Sequence, residues 1–165
     1  MEIIKADKSH FPVIRDIAMQ TWPDTFAKIL SKEQISYMLE MMYSIHSLEK
    51  QTEQDNHVFL LAEEDGEYFG YLSYELNYKN LSKTKIHKIY ILPKSQGKGV
   101  GKLLINKVNE IALDAEQQIL ALNVNRDNKA VDFYKKIGFS IIGTEDIDIG
   151  NNFLMEDYIM EKSLI

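Results

Sequence analysis

The sequence predicts an α/β protein in which one mixed sheet carries helices on both faces. Three observations lead to this prediction. Helical patterns occupy the first third of the chain, short apolar runs separated by turns follow, and the second half alternates between strand and helix patterns. This order of elements builds a mixed sheet with helices on either side. No repeat or Pro/Gly linker divides the 165 residues, so we expect a single domain over 1–165.

The amino-terminal part is predicted to be mainly helical. A weakly alternating strand over 2–6 is followed by a helical pattern that runs to about residue 20. The segment Trp22-Pro23-Asp24 interrupts this pattern, so we expect the helix to end before it. A second helix is predicted after Ser31, where Gln34 completes a capping box, and its apolar positions continue as far as residue 45.

The middle of the chain is predicted to form strands. Residues 57–62 and 69–76 predict a β-hairpin across a turn that contains Asp65-Gly66. Residues 85–92 predict a third strand, which Pro93 ends. Strict alternation would place Ile86, Lys88, Tyr90 and Leu92 on one face of this strand and His87, Ile89 and Ile91 on the other.

The second half of the chain alternates between helices and strands. A glycine-rich loop opens a long helix with an apolar stripe from Leu104 to Ala115. A short helix over 128–137 is predicted to stop at Gly138. The remaining predicted elements are strands over 119–124, about 140–147 and about 153–161.

Composition excludes several classes of protein. The chain has 25 Asp and Glu against 19 Lys and Arg, a net charge of −6, and no dense basic stripe, which argues against nucleic acid as a partner. It has no Cys, which excludes disulfides and thiol nucleophiles and fits a cytoplasmic location. We expect no signal peptide and no membrane partner, because the apolar runs are far shorter than the ~20 residues that span a bilayer. The oligomeric state is open, with a homodimer as one option.

The loop Gln96-Gly97-Lys98-Gly99-Val100-Gly101-Lys102 has the properties of an anion site. It lies between a strand and a helix, where backbone N–H groups can point at a ligand. It is not a P-loop, because Leu103 stands where Ser or Thr is needed, and its glycine spacing differs from the dinucleotide fingerprint. A coenzyme A pyrophosphate site and a tight turn without a ligand both remain open.

Two segments together closely resemble the GCN5-related N-acetyltransferases. Residues 90–104 match that family's Gln/Arg-x-x-Gly-x-Gly/Ala motif, and residues 128–139 match its Asn…Ala…Phe-Tyr-x-x-x-Gly-Phe motif. The order of elements agrees over essentially the whole chain. The resemblance implies the GNAT fold, with a mostly antiparallel sheet of about six or seven strands. It also implies that acetyl-CoA, as cosubstrate, lies in a V-shaped opening between the strand ending near Leu92 and the strand over 119–124.

The same resemblance implies which residues contact acetyl-CoA. The backbone of Ile89, Tyr90 and Ile91 would pair with the pantetheine arm and the acetyl carbonyl. The motif residues Gln96, Gly97, Lys98, Gly99, Val100, Gly101 and Lys102 would surround the pyrophosphate, held by the amides of 97–102. Asn128 matches a side chain that contacts the cofactor in relatives. Because its spacing to Tyr134 is one residue short of the common spacing, Asn125 is the alternative.

Acetyl transfer to an amine needs a base and an acid. A primary amine with a pKa of about 10.4 must lose a proton at a cost of about 4.6 kcal/mol at pH 7. Tyr134 resembles the family tyrosine that protonates the coenzyme A thiolate. Many relatives have a Glu three residues before the strand aromatic, where this chain has His87. An imidazole can take a proton at neutral pH, although a packing role for His87 is equally open.

No metal site is predicted from the sequence. The other histidines, His10, His46 and His57, show no mutual spacing typical of metal ligands. We expect each of them to be a surface or capping residue.

Three further segments resemble the bacterial polyamine acetyltransferases of the Pai type, namely 21–26, 37–44 and 150–162. This resemblance implies spermidine or spermine as the small-molecule amine acceptor. Acidic and aromatic side chains suit such a polycation. The candidates for acceptor binding are Trp22, Asp24, Tyr74 and Glu75, although Trp22 can equally be a core residue and Glu75 a solvated one.

These features predict a cytoplasmic, acetyl-CoA-dependent N-acetyltransferase. Transfer is expected to be direct, because no Cys is available to form an acetyl-enzyme. One alternative is an enzyme that acetylates a protein N-terminus or a lysine. Another is a non-catalytic acyl-CoA-binding sensor, which the His at position 87 leaves open.

Overall fold

The computed structural model describes all residues from 1 to 165 and contains one seven-stranded sheet and five α-helices. The strands are β1 (Glu2–Lys5), β2 (Val58–Glu64), β3 (Glu67–Glu75), β4 (Lys83–Ile91), β5 (Ile119–Asn125), β6 (Ser140–Gly150) and β7 (Phe153–Ser163). The helices are α1 (Phe11–Phe26), α2 (Lys32–Tyr43), α3 (Ile45–Glu53), α4 (Val100–Asp114) and α5 (Ala130–Lys136). None of the helices combines the length and apolar character needed to cross a bilayer.

The sheet is mixed and mostly antiparallel, as predicted. Its strand order is β1-β2-β3-β4-β5-β7-β6. All neighbours are antiparallel except β4 and β5, which are parallel because α4 connects them as a crossover. This single parallel pair lies at the centre of the sheet.

Each face of the sheet carries its own apolar core, which confirms helices on both faces. On one face, called the α4 face, α4 and α5 pack against the sheet through buried residues such as Leu104 and Val108 of α4 and Leu72 of β3. On the other face, called the α1 face, α1 to α3 pack around Trp22 and Tyr71.

Helix α1 continues through Pro23, so the predicted end near residue 20 is wrong. The apolar stripe extends to Trp22 and Phe26, which are 1% and 2% exposed. Pro23 itself is exposed. Burial of the two aromatic rings offsets the lost backbone hydrogen bond and keeps the last turn helical.

The predicted second helix is two helices. Ser44 has an extended backbone and its hydroxyl accepts a hydrogen bond from the Ser47 N–H at 3.2 Å, so α2 ends and α3 begins there. Helix α3 was not predicted from the sequence. Its buried positions include the polar Gln51 beside Leu48, which obscures the amphipathic pattern.

Strand β4 contains a bulge at His87, so the predicted alternation of its side chains is wrong. The pairing with β3 steps from Tyr74↔Ile86 to Ser73↔Lys88, which leaves His87 without an opposite residue. After the bulge, Ile89 packs on the α4 face together with Ile86. A bulge keeps two consecutive side chains on one side, so His87 and Lys88 both face α3 and β2.

The β6–β7 hairpin is longer than predicted and its tip reaches α2. The Tyr37 hydroxyl donates a hydrogen bond to the Ile149 carbonyl at 3.2 Å, and its ring packs edge-on against Phe153 at 5.4 Å. This contact joins the helices of the α1 face to the far edge of the sheet.

Candidate active site

The parallel strands β4 and β5 separate and form an opening. They pair from Lys83↔Ile119 to Ile86↔Leu122 and then diverge. The opening beyond this point is lined by Ile86, His87, Lys88, Ile89, Leu122, Asn123, Val124, Asn125, Asn128 and Tyr134. The predicted acid, the predicted base and both candidate asparagines therefore line one opening.

The backbone of Ile89 and Ile91 faces this opening. The Gln96 side chain donates a hydrogen bond to the Ile91 carbonyl at 3.2 Å, whereas the Leu92 N–H donates to the Phe69 carbonyl near the start of β3. Since backbone directions alternate along a strand, the N–H and C=O of Tyr90 point towards β3. Ile89 and Ile91 thus fit the predicted pantetheine contacts, and Tyr90 does not fit them.

The glycine loop presents free N–H groups at the start of α4. Gly97 and Gly99 have φ of +78° and +81°, and a Cβ on either would meet nothing within 4 Å. Helix α4 has no side-chain cap, and its first backbone hydrogen bond runs from the Leu103 N–H to the Gly99 carbonyl. The amides of 100–102 are therefore left without helical partners and suit an anionic group such as a pyrophosphate.

Asn125 and Asn128 both lie at the opening, and each uses its side-chain oxygen locally. Asn125 accepts a hydrogen bond from the Asp127 N–H at 3.0 Å, and Asn128 accepts one from the Ala130 N–H at 2.9 Å. These bonds fix the turn that starts α5. Each side chain keeps its N–H₂ group for a ligand, so both candidates remain.

Tyr134 is a buried tyrosine whose hydroxyl has no hydrogen-bond partner in the chain. It is 7% exposed and packs against the rings of Phe133 and Phe139 on the α4 face. Burial raises its pKa, because the phenolate would be poorly solvated there. The hydroxyl therefore stays protonated at neutral pH and can donate a proton or hydrogen bond into the opening.

His87 belongs to a cluster that the sequence did not reveal. Its Nε2 lies 3.0 Å from Glu75 Oε1, and the same oxygen lies 3.7 Å from His57 Nε2. The two imidazole rings are stacked, with centroids 3.9 Å apart and planes 14° apart. We call His57, Glu75 and His87 the imidazole–carboxylate cluster. His57 is thus not the surface or capping residue that was predicted, and Glu75 is placed against His87.

The cluster has three possible ligand atoms within 4.8 Å of one another, but its rings are not arranged for a shared metal ion. An imidazole nitrogen binds a metal in the plane of its ring, at about 2.0–2.1 Å for zinc. The two rings are stacked almost parallel and 3.9 Å apart, so one ion cannot lie in both planes. The geometry instead suits a Glu75 carboxylate that accepts a hydrogen bond from the His87 imidazole, with the His57 Nε2 3.7 Å away.

Lys88 of β4 lines the opening and Lys85 bonds to Asn123 beside it, although no feature of the sequence predicts either contact. Lys88 is buried and its only hydrogen bond is to Gln51 Oε1 at 2.7 Å, while Lys85 bonds to Asn123. Burial lowers the pKa of each lysine to about 8. No sequence pattern near Lys88 predicts its burial, because it depends on the bulge in β4 and on the contact with α3.

Trp22 and Tyr74 are core residues, so their predicted roles in acceptor binding are wrong. Trp22 is 1% exposed and packs against Phe26, Tyr43 and Tyr90. Tyr74 is 6% exposed and points into the core of the α4 face. Asp24 is exposed near the end of α1 and remains accessible to a ligand.

Substitution Trp22→Phe tests this correction. We expect a lower Tm, corresponding to a loss of about 1–3 kcal/mol of stability, because the smaller ring leaves a void in the core. The KM for the acceptor should change less than twofold. Steady-state kinetics and thermal unfolding measure the two effects, and a large rise in acceptor KM at unchanged Tm would contradict the assignment.

A larger concavity lies away from the opening. Its volume is about 430 Å³, and it is bounded by the first turns of α1, the start of β3, Leu92 and Lys94. Neither Tyr134 nor any member of the imidazole–carboxylate cluster lines it. We therefore place the candidate active site in the smaller opening between β4 and β5.

Comparison with known proteins agrees with this geometry. The model of the acetyltransferase (GNAT) domain matches residues 26–161. A spermidine N(1)-acetyltransferase of Thermoplasma acidophilum is 26% identical over 161 residues, which are 94% of this chain and 96% of that protein. An uncharacterised N-acetyltransferase of Methanocaldococcus jannaschii is 35% identical over 91 residues, which are 52% of this chain but 40% of that protein.

A solved structure matches over nearly the full length. The PaiA N-acetyltransferase of Thermoplasma acidophilum in complex with coenzyme A has a TM-score of 0.82 at 28% identity, covering 98% of each chain. The family model covers most of the chain, and this solved structure shares its fold. The chain therefore belongs to the GNAT acetyltransferase family and is an N-acetyltransferase.

Proposed function

We propose that this enzyme transfers the acetyl group of acetyl-CoA directly to a primary amine of a small polyamine such as spermidine or spermine. The observation that carries the proposal is the opening between β4 and β5. Tyr134 and His87 line it, and the uncapped start of α4 follows on from β4. GNAT acetyltransferases use acetyl-CoA, and a neighbouring structure holds coenzyme A.

The residues of the candidate site divide into those that bind acetyl-CoA and those that transfer protons. The amides of 97–102 and the charges of Lys98 and Lys102 bind the pyrophosphate, and the backbone of Ile89 and Ile91 pairs with the pantetheine arm. The side-chain N–H₂ of Asn128 or Asn125 adds a further contact. As the amine attacks the thioester carbonyl, Tyr134 gives its proton to the leaving thiolate, and His87 lies on the side from which the amine loses a proton.

Two observations support a polyamine as the acceptor. The Thermoplasma relative is named a spermidine N(1)-acetyltransferase. The net charge of −6 also favours a cationic acceptor over an anionic one, and Asp24 is exposed. A cytoplasmic enzyme that acts as a monomer or homodimer is part of this proposal.

A substrate panel tests the function. Thiol release from acetyl-CoA is measured with spermidine, spermine, amino acids, aminoglycosides and peptides with a free N-terminus or lysine. We expect the highest kcat/KM with a polyamine. Preference for a peptide would make the enzyme a protein acetyltransferase, and tight acetyl-CoA binding with no turnover on any amine would make the chain a sensor.

The salt dependence of the acceptor KM gives a further prediction. Raising ionic strength from about 0.05 to about 0.5 M shortens the Debye length to a few ångströms and screens attraction between a polycation and the acidic protein. We expect the KM for spermidine to rise several-fold and the KM for a monoamine acceptor to rise less. An equal response of the two acceptors would contradict a polycation site.

A further inference from the structure

Glu75 and His87 form a close pair at the edge of the candidate active site. Glu75 Oε1 lies 3.0 Å from His87 Nε2, and their side chains are 20% and 19% exposed. When Glu75 is ionised, the Nε2–H donates to the carboxylate, and the ring lone pair is then on Nδ1. Nδ1 makes no hydrogen bond within the chain and is left to take a proton.

The fold places these groups together from separate elements. Glu75 ends β3, His57 comes directly before β2, and His87 is the bulged residue of β4. Without the bulge, alternation would send His87 and Lys88 to opposite faces of the sheet. The bulge therefore keeps Lys88 on the same face as His87 and Glu75, where β4 and β5 begin to separate.

The charges around the cluster oppose an imidazolium. The groups that face it are Lys50 and Asp55 from the end of α3 and the loop after it, Lys85 and Lys88 on β4, and Tyr78 after β3. Burial and the nearby lysines lower the pKa of His87 to about 2 and that of His57 to about 4. Burial raises the pKa of Glu75 above 4.5. An isolated imidazolium is thus disfavoured, while Glu75 accepts a proton more readily than an exposed carboxylate does.

We propose that Glu75 and His87 act as one proton-accepting pair for the acceptor ammonium, with His57 as a positioning residue that holds the Glu75 carboxylate ionised. The ammonium proton passes to His87 Nδ1 as the proton on Nε2 passes to Glu75 Oε1. The pair changes from a charge of −1 to neutral, and no isolated imidazolium remains. The freed amine then attacks the thioester carbonyl carbon, the C–S bond breaks, and the thiolate takes its proton from Tyr134, which regains one from the acylated nitrogen.

This inference rests on the proposed function, and it assigns the proton to a pair of groups rather than to His87 alone. Two groups coupled this closely titrate as a unit. The pair can accept a proton only when Glu75 is ionised. Activity is therefore present above the raised pKa of Glu75 and is lost as pH falls through it.

The kinetic test is a pH–rate profile for Glu75→Gln, an isosteric change. We expect kcat/KM at neutral pH to fall by about 10²-fold and the acid limb to move to lower pH, because only the imidazole remains to titrate. Glu110→Gln on α4 is the matched control and should leave both unchanged. A Glu75→Gln enzyme with wild-type rate and an unmoved acid limb overturns the proposal.

The substitution His57→Phe tests whether His57 acts on the Glu75 carboxylate or only packs against His87. The phenyl ring keeps the stacking on His87 but removes the N–H near Glu75, so the carboxylate is held ionised less well. We expect the plateau rate to stay within twofold and the acid limb to move to higher pH. A lower plateau with an unmoved limb would make His57 a packing residue and overturn its positioning role.

A spectroscopic measurement separates this proposal from the proposed function. Long-range ¹H–¹⁵N correlation spectra of the histidines report which ring nitrogen carries the proton. We expect neutral His87 with its proton on Nε2 in the wild type, and a changed tautomer balance in Glu75→Gln. A proton on Nδ1 in the wild type overturns the pair. If the wild type acetylates no amine, the proposed function fails, and the spectra still decide whether the pair exists.

Discussion

Replacing Tyr134 with Phe is expected to lower kcat by about 10²-fold, the range in which positioned general acids contribute. The hydroxyl lies in the opening, is free of other hydrogen bonds, and stays protonated because burial raises its pKa. Phe keeps the ring that packs on Phe139, so folding and acetyl-CoA binding should change little. Steady-state kinetics with acetyl-CoA and the best acceptor give kcat and both KM values.

Tyr68→Phe is the matched control for this substitution. Tyr68 is half-buried on β3 beside His10, away from the opening, and its hydroxyl likewise has no partner in the chain. We expect its kcat to stay within twofold of wild type. If Tyr134→Phe keeps the wild-type kcat at saturating acetyl-CoA, Tyr134 is not the proton donor to the thiolate.

Gly99→Ala is expected to raise the KM for acetyl-CoA by at least about tenfold. The methyl group would stand in the open space where the pyrophosphate approaches the amides of 100–102, and the charge-assisted bonds lost there are worth about 1.5–3 kcal/mol. The positive φ of +81° also disfavours an L-residue by about 1–2 kcal/mol. KM and the Kd for coenzyme A measure the first effect, and Tm measures the second.

The substitution Gly66→Ala separates the effect on acetyl-CoA affinity from the effect on stability. Gly66 lies in the β2–β3 turn with a φ of +80°, and a Cβ there also meets nothing within 4 Å. Both variants should therefore lose similar stability, while only Gly99→Ala loses affinity for acetyl-CoA. Equal affinities in the two variants would show that the loop does not hold the cofactor.

Features with a local signal were predictable from the sequence. The glycine loop, α4 and the short helix before Gly138 each have their cause within a few residues, and the structure confirms them. The elements that we propose to hold the cofactor could therefore be placed in advance. The continuation of α1 through Pro23 could not be predicted, because the burial of Trp22 and Phe26 against distant residues keeps the last turn helical.

The acceptor side depends on contacts between distant elements. One bulged residue changes which face every later side chain of β4 occupies, and no local pattern marks it. His57 and Glu75 reach His87 only because β2, β3 and β4 are neighbours. Tyr74 and Glu75 were both assigned to the acceptor, although adjacent strand residues point to opposite faces, and this rule alone could have separated them.

The contact of Tyr37 with the β6–β7 hairpin is weak enough to break and re-form many times during one turnover. One hydrogen bond and one edge-to-face ring pair contribute about 2 kcal/mol, which corresponds to roughly one molecule in thirty with this contact broken. A loop such as this hairpin tip moves in nanoseconds to microseconds, whereas a typical turnover takes about a tenth of a second. Opening of the hairpin tip is therefore too fast to limit the rate of catalysis by itself.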